Sequence, residues 1–166
     1  LIKEVEAMGF PVGGTKNSMH NIIACPAWIH CNLPATDSPG IAKAIGDALI
    51  EEFKNHKLPS WLKINIGACA NIEEALMADI GIIGVHRDQP IILEDQIKMC
   101  ERPTVIHCCP TFAITPKGEH SIKINPEKCI HCGACTMHCG AILTGDPKLD
   151  GYAVAVGGKA SNTGSG

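Results

Sequence analysis

The hydrophobic positions along the chain follow two different periods. In one segment they recur every four residues, a spacing that predicts an amphipathic helix of about four turns. The residues that set this period are Ile41, Ile45, Leu49 and Phe53. Ser38 followed by Pro39 predicts the N-cap and the first turn of the helix.

The second period is two, or a short unbroken apolar run, and both patterns predict strands. Strands are predicted at 21–25, 62–66, 79–85 and 152–156, a hairpin around the polar turn at 116–120, and a short helix at 1–8. Helices and strands that alternate in this way predict an α+β fold.

The composition of the chain changes near residue 100, where short segments rich in Pro, Gly and Cys begin. This change predicts three segments of domain organisation. Residues 1–102 form the main α+β domain, 103–146 form an inserted cysteine-rich module, and 147–166 return to the main domain.

Composition narrows the class of protein. The 166 residues are 45% hydrophobic and 19% charged, which is enough to bury a core, and the net charge of -3 gives no basic surface for nucleic acid. No apolar run approaches the roughly 20 residues that span a bilayer. The ten cysteines fit a secreted disulfide scaffold poorly because several have C-x-x-C spacing, which favours a metal or cluster in a reducing cytoplasm.

The densest cysteine pattern is the run "CIHCGACTMHC", which places thiols at Cys129, Cys132, Cys135 and Cys139. This is the bacterial ferredoxin spacing for a [4Fe–4S] cluster, in which the fourth cysteine of the run ligates another cluster. Three thiolates from one loop bind three irons, so the fourth iron needs a thiolate from elsewhere. Cys109, followed by a proline, is the predicted fourth ligand, with Cys139 as the alternative.

Other interpretations of these thiols are zinc binding or free cysteines. Cys100 and Cys108 are predicted to be bystanders, because a lone cysteine is more often a small buried hydrophobe than a ligand.

A second constellation comprises Cys25, Cys31 and Cys69. Its spacing, together with "GFPVGGTKNSMHNI", "WIHCNLPATDSPG", "DIGIIGVHR" and "DGYAVAVGGKASN", resembles the siroheme sulfite and nitrite reductases. Within that family the sequence is most similar to the beta-type subunits of dissimilatory sulfite reductases, which carry an inserted ferredoxin domain. The resemblance runs through nearly the whole chain.

The resemblance implies a six-electron reduction of sulfite to sulfide. Electrons would enter at the ferredoxin-type [4Fe–4S] cluster, pass to a second [4Fe–4S] cluster coupled to siroheme, and reach sulfite on the siroheme iron. It also implies an alpha–beta heterotetramer, an electron donor or sulfur-carrier protein as a partner, and further residues before Leu1 and after Gly166.

The resemblance also implies roles for particular residues. It makes Cys25, Cys31 and Cys69 ligands of the second cluster, and it makes Lys63 and His20 candidates for binding the sulfite anion. The implied cofactor-binding residues are Thr15, Asn17, Asn21, Cys31 and Asn71. A solvated Lys63 and a hydrogen-bonded structural His20 are the plainer interpretations. His30, His86 and Arg87 are given the same structural interpretation, and Trp28 and Trp61 are predicted to be packing residues.

One position departs from the family pattern. Four residues after Cys69, where the family has the cysteine that bridges siroheme and cluster, this chain has Glu73. Glu73 could ligate as a carboxylate, or the cluster could keep three thiolates, or this copy could have lost its siroheme-coupled centre. The last case predicts a ferredoxin-like electron-transfer subunit without catalytic activity as the alternative function.

Overall fold

The computed structural model describes residues 1–99 and 104–158. Cys100 and the predicted boundary at 102/103 lie outside these ranges, as does the segment from residue 159 onward. The side chain of Glu73 is also outside the described part, so its predicted role stays a prediction. No helix among the described residues is long and apolar enough to cross a membrane.

Strands and helices alternate along the chain, as the α+β prediction requires. The strands are β1 (Met19–Ala24), β2 (Leu62–Gly67), β3 (Ile80–Val85), β4 (Ile91–Ile92), β5 (Ile114–Lys117), β6 (Ser121–Ile124), β7 (Ile142–Leu143) and β8 (Gly151–Val156). The α-helices are α1 (Ile2–Ala7), α2 (Ser38–Ala48), α3 (Ile50–Lys54), α4 (Glu94–Ile97) and α5 (Ala134–His138). Short 3-10 helices span Ala27–Ile29, Glu73–Met77 and Thr104–Cys108. The α+β fold is confirmed.

The main sheet has the strand order β1-β2-β3-β8. The first three strands are parallel, and β8 runs antiparallel to β3 with Val85 opposite Gly151. Parallel neighbours need a crossover connection, which α2 and α3 provide between β1 and β2. The apolar face of these helices packs on the sheet through Ile41, Ile45, Leu49 and Phe53, against Met19, Ile64, Ile66 and Ile82.

A second hydrophobic cluster lies outside this sheet. Its buried members are Ile97, Val105, Ile114, Ile122, Cys135, Ala141 and Ile142. They come from α4, the 3-10 helix Thr104–Cys108, the β5–β6 hairpin, α5 and β7 with the residue before it. The cysteine-rich segment therefore builds a second small core together with α4. Since β8 then returns to the main sheet, the described residues favour an insertion, although the exact domain limits stay a prediction.

Three local predictions were wrong. The N-cap of α2 is Asp37, whose carboxylate accepts a hydrogen bond from the Gly40 amide, and Ser38 lies inside the helix and is fully buried. The predicted four-turn helix is two helices, α2 and α3, which are separated at Leu49. Trp28 and Trp61 are 56% and 61% exposed and therefore are not core residues of this chain.

Candidate metal centres

The four predicted ferredoxin-type ligands line one cavity. Cys109, Cys129, Cys132 and Cys135 line it together with mainly apolar neighbours such as Pro90, Ile114 and Ile130. Cys109 directly follows a 3-10 helix, the next two cysteines lie in the loop after β6, and Cys135 lies in α5. Four thiols around an apolar cavity are the donor set that a [4Fe–4S] cluster needs.

The loop folds around the cavity because some of its residues adopt left-handed backbone conformations. His131 and Gly133 have φ angles of 53° and 71° and flank Cys132. Phe112, three residues after Cys109, has a φ of 52°. Non-glycine residues rarely adopt this region, and where they do the cost is of order 1–3 kcal/mol. This strain therefore marks the loops that carry the thiols.

The thiols of this cavity have different environments. Burial, followed by the neighbouring thiols of Cys108 and Cys132, raises the pKa of Cys135 to about 12. Burial also acts to raise the pKa of Cys109, but hydrogen bonds from the Thr111 hydroxyl and from backbone amides outweigh it and lower that pKa overall. The Ala113 amide donates to the Cys109 sulfur at 3.2 Å. Amide donors of this kind tune the potential of a cluster.

The other two cysteines of this module do not line the cavity. Cys139 caps the C-terminus of α5 and packs on the second hydrophobic cluster. The Cys108 thiol donates to the Val105 carbonyl at 2.9 Å, and burial is the main cause of its raised pKa. This placement supports Cys109 over Cys139 as the fourth ligand and supports a bystander role for Cys108.

The three cysteines of the second constellation lie at one edge of the main sheet. Cys25 and Cys69 follow the carboxyl ends of the parallel strands β1 and β2, and Cys31 follows the 3-10 helix after β1. The Cys25 sulfur accepts a hydrogen bond from the Ala68 amide at 3.2 Å. Burial raises the pKa of Cys69, and the nearby thiols of Cys25 and Cys31 contribute to the rise against an opposing hydrogen bond from the Asn71 amide.

These three thiols are close enough to influence each other's ionisation, as thiol ligands of one cluster must be. Among the described residues, no three His, Cys, Asp or Glu side chains converge closely enough for a single metal ion.

The residues predicted near siroheme lie elsewhere on the main domain. Lys63 is exposed near the start of β2, and the six residues to Cys69 span about 20 Å in an extended strand. His20 lies near the start of β1, where its ring contacts Trp61 edge-on with centroids 5.2 Å apart and its Nε2 is 3.3 Å from the Lys16 carbonyl.

Thr15, Asn17 and Asn21 are exposed at the same end of the sheet. The Thr15 carbonyl accepts from the Ser18 hydroxyl at 2.8 Å, and the Asn17 carbonyl accepts from the Leu58 amide at 3.0 Å. These residues are therefore near one another but not near the three thiols. Among the described residues, the predicted sulfite-binding Lys63 and His20 and the three thiols therefore lie towards opposite ends of the strands β1 and β2.

Asn71 does lie at the thiols, and it also reaches the other module. Its side-chain amide donates to the Cys132 carbonyl at 3.4 Å. The sequence analysis gave His86 only a structural interpretation and did not consider Leu33 or Asp150, yet all three are buried next to this junction. No local motif marks them, but each lies in a segment quoted for the resemblance: Leu33 in "WIHCNLPATDSPG", His86 in "DIGIIGVHR" and Asp150 in "DGYAVAVGGKASN".

The fold and the thiols define this chain as part of an α+β iron–sulfur protein. Residues 15–166 match the model of the nitrite and sulphite reductase 4Fe-4S domain. The chain belongs to that family.

Individual relatives agree with this assignment. The chain is 44% identical to the beta subunit of the dissimilatory-type sulfite reductase of Archaeoglobus fulgidus, over 97% of this chain and 47% of the relative. It is 38% identical to the same subunit from Nitratidesulfovibrio vulgaris, over 94% of this chain and 43% of the relative. The chain thus spans less than half the length of these two relatives.

A solved structure has the same fold. A crystal structure of dissimilatory sulfite reductase I superimposes with a TM-score of 0.79 at 19% sequence identity, over 96% of this chain and 41% of that one. At this identity the match concerns the fold alone.

Proposed function

We propose that this chain is part of the beta-type subunit of a sulfite reductase that uses siroheme and [4Fe–4S] clusters to reduce sulfite to sulfide with six electrons. The observation that carries the proposal is the presence of two separate sets of cysteines. One lines a cavity suited to a ferredoxin-type cluster, and the other lies at the edge of the main sheet, where the family pattern expects a second cluster. The relatives named as beta subunits support the same assignment.

In this proposal the thiolates of Cys109, Cys129, Cys132 and Cys135 hold the electron-entry cluster. Such a cluster supplies single-electron transfer. The chain's own contribution is to keep water out with apolar neighbours and to donate amide hydrogen bonds to sulfur, as Ala113 does. Both effects tune the reduction potential.

Cys25, Cys31 and Cys69 supply three thiolates for the second cluster. Amide hydrogens reach these sulfurs from Ala68 and Leu33, at 3.2 and 3.4 Å. Thr15, Asn17, Asn21, His20 and Lys63 keep their predicted roles towards siroheme and sulfite only if residues of the rest of the subunit, or of an alpha-type partner, complete that pocket. An alpha–beta heterotetramer and an electron donor or sulfur-carrier protein are the proposed partners.

Glu73 favours one alternative function, because it occupies the position of the bridging cysteine. Carboxylate is a harder ligand than the thiolate that iron–sulfur clusters use. The alternative is a ferredoxin-like electron-transfer subunit without a siroheme centre of its own.

An anaerobic ultraviolet–visible spectrum of the full-length protein, purified with its partner subunit, separates the two functions. Siroheme bands that shift on addition of sulfite and disappear in a Cys69→Ser variant support the reductase. A broad iron–sulfur shoulder without siroheme bands supports the electron-transfer subunit. If the shoulder is also absent, both functions are excluded.

Two controls assign the signal to this chain. Cys108→Ser changes a thiol beside the cavity that is not a proposed ligand, so it should leave the spectrum unchanged. Glu73→Cys tests the departure from the family pattern. If this variant gains siroheme bands that the natural chain lacks, the alternative is correct for the natural chain.

A further inference from the structure

The loops that carry the two sets of cysteines contact each other at one dipeptide of the cysteine-rich module, Cys132–Gly133. The Leu33 side chain packs directly on Gly133, since a Cβ at that glycine would lie 1.9 Å from Leu33 Cδ1. The Asn71 side chain donates to the Cys132 carbonyl at 3.4 Å. Two separate loops of the main domain therefore contact the same dipeptide of the other module, and one of its two residues, Cys132, is itself a proposed ligand.

Both contacting residues also act on a thiol of their own module. The Leu33 amide donates to the Cys31 sulfur at 3.4 Å, and the Asn71 amide acts on the nearby Cys69 thiol, whose pKa it lowers against the larger effect of burial. Leu33 and Asn71 therefore each link a thiol of the main domain to the cysteine-rich loop that holds Cys132.

Leu33 is held in place by a buried histidine–aspartate pair. The Nε2 atom of His86 is 2.7 Å from the Leu33 carbonyl, and its Nδ1 atom is 3.0 Å from Asp150 Oδ2. The side chains of His86 and Asp150 are only 5% and 3% exposed. The two ring nitrogens of His86 are therefore both within hydrogen-bond distance of an oxygen, one on the backbone of Leu33 and one on the side chain of Asp150.

The pair is attached to rigid elements. His86 directly follows β3, and Asp150 directly precedes β8, the antiparallel neighbour of β3 in the main sheet. The second oxygen of Asp150 accepts from the Arg87 amide at 3.3 Å. The Leu33 carbonyl is thus fixed to the ends of two paired strands.

We propose that Leu33 and Asn71 form the contact through which an electron passes between the two thiol-lined sites, with His86 as the positioning residue for that contact. This inference rests on the proposed function, since it needs a cluster at each site. One electron leaves the reduced cluster of the cysteine-rich module, and the oxidised cluster at Cys25, Cys31 and Cys69 gains it. No bond is made or broken, and no proton has to move.

The test uses the full-length protein with its partner subunit. The protein is mixed with a one-electron donor, frozen at successive times, and measured by electron paramagnetic resonance. His86→Phe keeps a ring but loses both hydrogen bonds. Asn71→Leu keeps a similar volume but loses the side-chain donor. Lys117→Met is the matched control, because it breaks an exposed ion pair with Glu94 on the far hairpin.

His86→Phe and Asn71→Leu should retain iron and the signal of each cluster, yet slow the transfer between clusters severalfold and weaken the magnetic interaction between the reduced clusters. Lys117→Met should behave like the natural chain. His86→Gln, whose amide can still donate to the Leu33 carbonyl, should restore much of the rate.

Three results would overturn the inference. The first is an unchanged transfer rate with iron retained in both variants. The second is a loss of iron in His86→Phe that His86→Gln does not restore. That result would show that the His86–Asp150 pair stabilises the fold and has no separate role in electron transfer. The third is a natural protein with a single cluster, which would overturn the two-cluster function as well and is distinguished from the others by the iron content of the natural chain.

Discussion

Replacing Gly133 by alanine probes the contact between the loops of the two sets of cysteines without replacing a proposed ligand. Gly133 has a φ of 71°, and a Cβ there would lie 1.9 Å from Leu33 Cδ1 and 3.2 Å from its Cγ. Leu33 is only 2% exposed, so its side chain cannot turn into solvent to make room. The substitution therefore combines backbone strain with overpacking.

The expected cost follows from these two contributions. An L-residue in the left-handed region costs about 1–2 kcal/mol, and overpacking a well-packed site costs about 1–3 kcal/mol. Gly133→Ala should therefore lower the free energy of unfolding by about 2–5 kcal/mol. Gly118→Ala is the matched control, because Gly118 has a φ of 67° but nothing within 4 Å of its Cβ position. It should cost only the backbone contribution.

The assay is urea unfolding under anaerobic conditions, followed by circular dichroism and by the visible absorbance of the cluster. The decisive measurement is Gly133→Ala in a Leu33→Ala background, since neighbouring substitutions are not additive. With the leucine removed, the added cost of Gly133→Ala should fall to that of Gly118→Ala. If Gly133→Ala costs the same with and without the leucine, the contact between Leu33 and Gly133 does not exist and the reasoning is refuted.

Three further predictions concern other parts of the structure. Cys109→Ser should remove far more iron and reduced-state signal than Cys139→Ser, because only the former lines the cavity; equal losses would contradict the ligand assignment. Asp150→Ala should lower the free energy of unfolding by about 1–3 kcal/mol, since it leaves a buried nitrogen of the His86 ring without its hydrogen-bond partner. An unchanged free energy of unfolding would contradict this contribution. Gly46 lies in α2, and a Cβ there would make an ordinary 3.8 Å contact with Ile22 Cδ1 of β1, so Gly46→Ala should stabilise the chain by about 0.4–1 kcal/mol. Gly81→Ala, whose Cβ would lie 1.9 Å from the Ala75 carbonyl oxygen, should destabilise it by about 1–3 kcal/mol or more. Equal free energies of unfolding for the two variants in the same urea assay would contradict this reasoning.

Sequence reasoning succeeded where the deciding interactions are local. The spacing of Cys129, Cys132 and Cys135 forces three thiols into one short loop, because a few residues of backbone cannot carry them far apart. The strands β2 and β3 and the β5–β6 hairpin were predicted from apolar periodicity and turn residues, which act within a few positions. The order of the two cysteine constellations along the chain also identified the family before any contact was known.

Tertiary structure decided the relations between distant segments. His86 and Asp150 are 64 residues apart in the chain and pair only because β3 and β8 are neighbours in the sheet. The packing of the second hydrophobic cluster likewise places Cys109 at the cavity and leaves Cys139 outside it. No local pattern encodes these placements, because each depends on strand order and on how two cores pack together. The sequence by itself therefore determined which cysteines the chain offers as cluster ligands. The fold determined which of them line one cavity and how the loops that carry the two sets of cysteines contact each other.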